Sequence, residues 1–455
     1  MAEKKELYED RPLSVSEAEA YLEQIPRFAK KKHSLEDIRR MMEVMGLSLD
    51  GVRLIHVAGT NGKGSVCAFL SSILRESGEH TAVFTSPHLV SVRERFCFDG
   101  RKVGEDEFLS AFCQVKQGLS SLEEKELSHP SYFEFLFFMF VSMMQKRKTF
   151  TAVVETGLGG RLDATNVVKH PAVCVITSIS LDHMEYLGNT TKLIAGEKAG
   201  IIKPGVPVVY DSTDSEAARV IAGCAKKLGS PSYSVGEESI RCLELKDGHL
   251  FLTAEDSRLL SSEPLEIPFA ARYQAANAML AVKTAALLGI QERDIRQGVR
   301  KASWPGRMEE IRPGVYLDGA HNEGGIRAFA QAASALAVGR KILLFAVVSD
   351  KEYEEMSEIL FREFEPDVLV LTQIAYGRGL DIEKLRAAAQ RAMEETGSRG
   401  TKILIRPSVT EALKTALLEK TKEDTVFCAG SLYLIGEIKD VIRRNHDDRG
   451  SCCYN

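Results

Sequence analysis

The stretch VRLIHVAGTNGKGSVCAFLSSILRESG, residues 52–78, decides how this chain is read. VRLIHVA (52–58) is a short β-branched run that predicts a strand, and SVCAFLSSILRESG (65–78) carries helical apolar spacing up to a glycine stop. A glycine-rich loop joins them. In that setting the backbone N–H groups of Gly59, Thr60, Asn61, Gly62 and Gly64 and the head of the helix form a cradle for an anion, to which Lys63 adds positive charge. The spelling departs from the usual G-x-x-x-x-G-K-[ST] loop: Val57 stands at the first glycine, and Gly64 separates Lys63 from Ser65. Ser65 is still placed to hold Mg²⁺ beside a phosphate.

Working outward, apolar runs at 81–84 (TAVF), 151–154 (TAVV), 172–177 (AVCVIT) and 206–210 (VPVVY) alternate with helical stretches. That rhythm predicts a mostly parallel sheet with helices on both faces. Upstream, SVSEAEAYLEQI and SLEDIRRMMEVMGL predict two helices within 15–46, the second opened by Ser34 with Asp37 as an acidic capping box. IRCLELKDGHLFLT (240–253) reads as two alternating strands around Asp247-Gly248, a type I′ hairpin signal, and a helix over 272–288 follows. After the proline- and glycine-rich KASWPGRMEEIRPG (301–314), a second series of strands begins: VYLD (315–318), KILLFAVV (341–348), DVLVLT (367–372), KILI (402–405) and DTVFCAG (424–430). The expected fold is therefore α/β. A large N-terminal P-loop-type domain over 1–302, with a small antiparallel appendage, precedes a smaller Rossmann-like domain over 303–455, the boundary falling near Ser303–Gly306.

Composition narrows the partners. Among 455 residues, 59 basic and 64 acidic side chains leave a net charge of −5, no surplus for gripping a nucleic-acid backbone. The 9 cysteines include the tail pair Cys452 and Cys453 and show no C-x-x-C spacing, which fits a reducing, cytoplasmic setting. The start MAEKKELYEDRPLS is charged and lacks the apolar core of a signal peptide. FEFLFFMFVSMM (133–144) is the greasiest stretch, but it is far shorter than the ~20 residues of a membrane span and contains Glu134, so it reads as a buried helix.

Further chemistry sits where strands stop. Glu155 ends one run just before TGLGGRLDATN and is the natural second ligand of a magnesium-nucleotide site; Asp182 and His183 lie at the next strand end. His183 is a candidate metal ligand or a hydrogen-bonded loop histidine. Lys198, in AGEKAGIIKPG (195–205), reads by spacing as an ordinary helical lysine.

The ordered set HVAGTNGKGSV, TSPHLVSVRERF, VVETGLGGRLDATN, ITSISLDHMEYLGNTTKLIAGEKAGIIKPG, WPGRME, LDGAHN and AGSLYLIGE resembles the folylpolyglutamate synthase and dihydrofolate synthase family of the Mur ligase superfamily, from about Val52 to Glu437. The resemblance implies that Lys63 and its loop bind the phosphates of ATP, that Ser65 and Glu155 hold one Mg²⁺, and that His183 with a carbamylated Lys198 holds a second. Arg307, Asp318 and His321 would reach ATP from the second domain, with Asn277 on the nucleotide side. In ARYQAANA, Ala271 and Tyr273 stand where the family usually has glycine and histidine, while Gln274 and Asn277 match. Ser86, His88 and Arg93, followed by Glu94 and Arg95, match a segment near the pterin-bearing substrate, and Asp163 and Ala164 match a position associated with dihydropteroate. DKEYEEM (350–356) and Arg378 match second-domain motifs without an assigned role.

The implied activity is an ATP-dependent ligase that turns the terminal carboxylate of a folate glutamate tail into an acyl phosphate for attack by L-glutamate. Dihydropteroate would be an alternative acceptor. ATP with two Mg²⁺, folate or dihydropteroate, and L-glutamate are the expected partners, with no nucleic acid or membrane, and the protein is expected to act as a monomer. Two other readings are a Mur-type ligase on another carboxylate, such as a nucleotide-sugar peptide, and a nucleotide-gated binding module without turnover.

Overall fold

The β-branched runs pair as parallel strands in a computed structural model that describes residues 14–26, 33–149, 151–375, 379–398 and 400–450. Residues 1–13, Arg378, Cys452 and Cys453 lie outside the described residues. The first sheet comprises β1 (Arg53–Ala58), β2 (Thr81–Phe84), β3 (Phe96–Phe98), β4 (Arg101–Lys102), β5 (Thr151–Glu155), β6 (Val173–Ile176), β7 (Val208–Asp211) and β8 (Ser232–Val235). Their spatial order is β4-β3-β2-β5-β1-β6-β7-β8, and only β3 and β4 run antiparallel among the paired strands. β9 (Ile240–Lys246), β10 (His249–Ala254) and β11 (Leu265–Ile267) form the antiparallel appendage. Asp247 and Gly248 take φ of 51° and 77° at its turn, the left-handed pair that the Asp-Gly signal demands.

The second sheet holds β12 (Glu309–Arg312), β13 (Val315–Leu317), β14 (Lys341–Phe345), β15 (Val368–Leu371), β16 (Lys402–Ile405) and β17 (Thr425–Ala429) in the order β12-β13-β17-β14-β15-β16. It is parallel except at β12, as the second strand series predicts. Five strands escape the sequence reading, each with a physical reason. β3, β4 and β11 are too short to show a period, β8 (Ser232–Val235) has serine at two of its four positions, and β12 is charged at three of four. A more consequential difference concerns the phosphate-type loop: its helix starts at Lys63, not Ser65, so Lys63 and Gly64 belong to the helical first turn.

The apolar stretch at 133–144 is a buried helix, Tyr132–Arg147, packed between the first sheet and the N-terminal helices Val15–Gln24 and Leu35–Val44. Both N-terminal helices open with capping boxes, at Ser14 with Glu17 and at Ser34 with Asp37. Among the described residues no helix is long and apolar enough to cross a membrane.

Glu134, buried in that helix, meets the buried His33 at 2.8 Å and also accepts the Ser131 N–H at 2.7 Å. The hydrogen bond to Glu134 raises the His33 pKa above its ordinary 6.5, against the effect of burial. Burial opposes ionisation of Glu134, yet His33 and Ser131 hold its pKa below the ordinary 4.5. The histidine's contribution is therefore complete below pH about 6.5 and lost as pH rises through its folded-state pKa; the glutamate's is present above about 4.5 and lost as pH falls. Urea unfolding at fixed pH is expected to show the largest stability difference between the protein and a His33→Gln variant near pH 5–6, shrinking steadily towards pH about 8.

Candidate active site

Ligands of open α/β sheets bind outside the carboxyl ends of the strands, where neighbouring connections diverge. Here the parallel registers Val57↔Glu155 and Ala58↔Ile176 set the ends of β5, β1 and β6 side by side. The connections leaving them carry Gly59–Gly62, Glu155–Gly160 and Thr177–His183. They form one wall of a cleft of about 840 Å³, whose other wall comes from the second sheet through Arg307, Asp318 and His321.

The loop after β1 is held by contact. A Cβ on Gly59 would strike Thr177, and one on Gly62, whose φ is 87°, would strike the Asn277 amide. Thr60 and Asn61 donate their N–H groups to Ser178 O at 2.8 and 3.4 Å. The anion cradle is therefore narrower than the sequence suggests: it reduces to the N–H groups at the helix head, Gly62 to Ser65, which lack partners one turn earlier. Lys63 Nζ donates to Thr60 O at 3.0 Å and lies 3.9 Å from Glu155 Oε1. Glu155 is 3% exposed and accepts the Ser86 N–H at 3.1 Å. Burial pushes its carboxyl pKa up, with the Lys63 ammonium opposing. Ser65 Oγ accepts from Gln274 Nε2 at 3.2 Å, and Gln274 in turn accepts from Asn277 at 2.9 Å, so the head of helix Tyr273–Leu287 clamps the loop.

Beneath Gly59 lies Lys198, 4% exposed, donating to Gly59 O at 2.6 Å. Burial, reinforced by Lys63, pulls its pKa down to about 7 against the pull of Asp182, Asp163 and Glu155. His183 takes φ of 50° at the head of the short helix Met184–Leu187, and burial lowers its pKa while Asp182 opposes.

Asp182 ties the two walls together. Burial works against its ionisation, yet Lys351, His321 and His183 hold its carboxyl well below the usual range. Lys351 Nζ bonds to Oδ1, and Asn322 Nδ2 donates to Oδ2 at 2.9 Å. Asn322 also exchanges a reciprocal pair of amide hydrogen bonds with Asn61, at 3.0 and 3.1 Å, while capping helix Glu323–Leu336 through the Gly325 N–H. His321 is pushed down to about 4 by burial and by Lys351, so its imidazole is neutral; its Nδ1 lies 2.8 Å from Gly319 O and carries the proton. Asp318 receives Tyr273 Oη at 2.6 Å and the N–H groups of Met308 and Ala320 at 2.9 Å each. The unusual Tyr273 thus reaches across to the second domain, and the unusual Ala271 is fully buried in that domain's core.

Of the residues singled out from sequence, Ser86 reaches the cleft wall, whereas His88, Arg93, Asp163 and Ala164 do not line it. His88 accepts from Arg95 Nε at 3.0 Å and Arg93 pairs with Glu105 at 3.0 Å. Asp163 is buried and accepts the N–H groups of Gly157 and Leu158 at 2.9 Å each and of Thr165 at 3.0 Å, so its carboxylate shapes the loop after β5 from beneath. Sequence reasoning assigned nothing to Asn322 or Lys351. Both stood inside quoted motifs, but only folding reveals that they face Asp182. Lys351 and Asp182 are about one-tenth exposed. Removing one charge of such a pair strands the other, so Lys351→Met is expected to lower the unfolding free energy by about 3 kcal/mol in thermal or urea melts, with partial recovery when Asp182→Asn is added.

Two protein families match the chain: the Mur ligase middle domain over residues 57–285 and the Mur ligase glutamate ligase domain over residues 306–432. A Bacillus subtilis (strain 168) dihydrofolate synthase/folylpolyglutamate synthase is 33% identical over 420 residues, covering 90% of this chain and 94% of that protein. The folylpolyglutamate synthase of Lacticaseibacillus casei is 30% identical over 441 residues, covering 94% and 99%. Among solved structures, the Mycobacterium tuberculosis folylpolyglutamate synthase complexed with ADP and AMPPCP superposes with a TM-score of 0.83 at 28% identity, over 94% of this chain and 98% of that one. An E. coli FolC in complex with DHPP and ADP superposes with a TM-score of 0.79 at 26% identity, over 95% and 99%. With both Mur ligase domains matched in order and relatives at 33% and 30% identity over nearly their whole length, the chain belongs to the folylpolyglutamate synthase/dihydrofolate synthase family of Mur-type ligases.

Proposed function

We propose that this ligase extends the glutamate tail of a tetrahydrofolate with L-glutamate at the expense of ATP, and that dihydropteroate is a second acceptor. The observation that carries the reading is the single cleft in which Lys63, Ser65 and Glu155 on one wall face Arg307 and His321 on the other. The head of helix Lys63–Glu76 receives the ATP phosphates, and Lys63 balances their charge. Asn277 and Asp318 lie on the nucleoside side, Asp318 oriented by Tyr273. The acceptor carboxylate takes the γ-phosphoryl group to give an acyl phosphate, the amine of glutamate attacks its carbonyl carbon, and phosphate leaves. Arg307 faces the charge that develops, and the two walls drawn together exclude the water that would hydrolyse the acyl phosphate.

The donor set at the loop fits a metal-nucleotide complex. Mg²⁺ takes one or two carboxylates plus phosphate oxygens and water, not a ready-made protein cage, and among the described residues no cluster of three His, Cys, Asp or Glu side chains forms one. Ser65 and Glu155 would hold the first ion and His183 with Lys198 the second, and the ions would supply positive charge to the phosphate oxygens. As an ammonium Lys198 does not fit a cation. With its pKa near 7, a large fraction of the amine is neutral at physiological pH and able to take up CO₂, and the resulting carbamate does fit. Ala164, Asp163, His88 and Arg93 shape the folate side from behind the cleft wall. Because both walls come from one chain, the monomer is the catalytic unit, and the seven free cysteines among the described residues favour a reducing cytoplasm.

ADP release is expected to require tetrahydrofolate and glutamate together; an ATPase rate indifferent to both would exclude this reading, and the same assay with dihydropteroate tests the second acceptor. Intact-mass measurement is expected to find one CO₂ added at Lys198. Lys198→Arg, which keeps the charge but lacks the reactive amine, should lower kcat by roughly 100-fold or more.

A further inference from the structure

The chain's single tryptophan sits where the cleft does not call for it. Trp304 does not line the cleft; its partly buried indole lies against Gly64, between the two polar residues at the head of the helix. A Cβ at position 64 would fall 2.5 Å from Trp304 Cζ2, 2.9 Å from Cε2 and 3.0 Å from Nε1. Gly64 is an ordinary residue of the first helical turn with no positive φ, so no backbone conformation asks for glycine there. The indole does.

The flanks of Trp304 are anchored on opposite sides of the cleft. Upstream, helix Glu292–Arg300 presses on the loop's own helix: a Cβ on Gly298 would strike the Ile73 backbone, and Lys301 Nζ pairs with Glu76 at 2.8 Å. Downstream, Gly306 O accepts the Gly319 N–H at 2.8 Å, and the Gly306 N–H is held by Glu309 at 2.7 Å. Arg307, next along the chain, lines the far wall. A rigid ring gripped at the phosphate loop is thus three residues from the guanidinium that faces it.

We propose that Trp304 is the positioning residue of the phosphate loop: its indole sets the height of Lys63 and Ser65, and the linker Trp304–Pro305–Gly306 carries the occupancy of that loop to Arg307. The proposal rests on the loop binding phosphate. A loop displaced by bound phosphate moves Gly64, the ring has no free space on that side, and the displacement passes into a linker already hydrogen-bonded to the second sheet.

Because Trp304 is the only indole, its fluorescence, excited at wavelengths the 12 tyrosines do not absorb, reports this contact. Mg-ADP titrated into the full chain is expected to change Trp304 emission saturably, at the concentration where calorimetry registers binding. Gly64→Ala is expected to weaken Mg-ADP binding and raise KM for ATP by roughly ten-fold or more, through overpacking against the ring. Trp304→Leu added to Gly64→Ala should recover part of that affinity by relieving the overpacking, while the ligand-dependent emission is the readout that a merely structural role for the ring would not move. Calorimetric binding with unchanged emission would overturn the proposal on the wild-type protein alone, whether or not the variants fold. Losses that simply add in the double variant would overturn it as well. Calorimetry that detects no Mg-ADP binding to the wild-type protein would instead overturn the phosphate-loop reading, and the proposal with it.

Discussion

The structure depends on a loop that has no room for a side chain at Gly59, Gly62 or Gly64. Thr177 fills the space beside Gly59, the Asn277 amide that beside Gly62, and the Trp304 indole that beside Gly64. Each neighbour arrives from a different segment: the end of β6, the head of helix Tyr273–Leu287, and the linker into the second domain. Steric repulsion rises within a few tenths of an ångström, so these three contacts fix the loop's position alongside its hydrogen bonds to Ser178, Ser180, Asn322 and Lys198. With the loop located, the head of helix Lys63–Glu76 points its N–H groups into the cleft, and Glu155 and Lys198 have fixed distances from Lys63.

The second dependence is electrostatic. Glu155, Asp318 and Lys198 are buried and Asp182 is nearly so, and a buried charge is tolerable when it is paired and hydrogen-bonded. Asp182 and Asp318 solve this across the domain boundary, the first with Lys351 and Asn322, the second with Tyr273. The walls of the cleft are therefore joined in large part by polar side chains. Such an interface separates more readily than an apolar one, because water can replace its hydrogen bonds. That suits a site that must admit three substrates and then exclude water from an acyl phosphate. Glu155 and Lys198 have fewer partners, and burial moves their pKa values towards neutrality.

Much of this was legible in the sequence. The β-branched runs, the Asp-Gly hairpin and the capping boxes at Ser14 and Ser34 each carry a local signal strong enough to survive tertiary context. Glu155 and His183 could be placed because strand ends are where a parallel sheet presents its chemistry. The misses are local signals that tertiary packing overrode or that never existed. The resemblance placed Asp163 near the substrate, but no sequence signal showed that three backbone N–H groups hold its carboxylate. The helix start moved to Lys63 because Gly62 can take a left-handed conformation that turns the chain into the helix one residue after it.

By itself the sequence determined the strand and helix periods, the order of the motifs and the residue types gathered in the glycine-rich loop, because these are properties of neighbours along the chain. Only the tertiary structure decided that Lys351 and Asn322 meet Asp182, that Tyr273 meets Asp318 and that Trp304 rests on Gly64. Those partners lie 169, 140 and 45 residues apart in the hydrogen-bonded pairs. No local pattern encodes such meetings; they follow from which strand lies beside which. The glycine that separated Lys63 from Ser65 shows the difference: its presence is plain in the sequence, and its reason, an indole from the far side of a domain boundary, is a matter of packing.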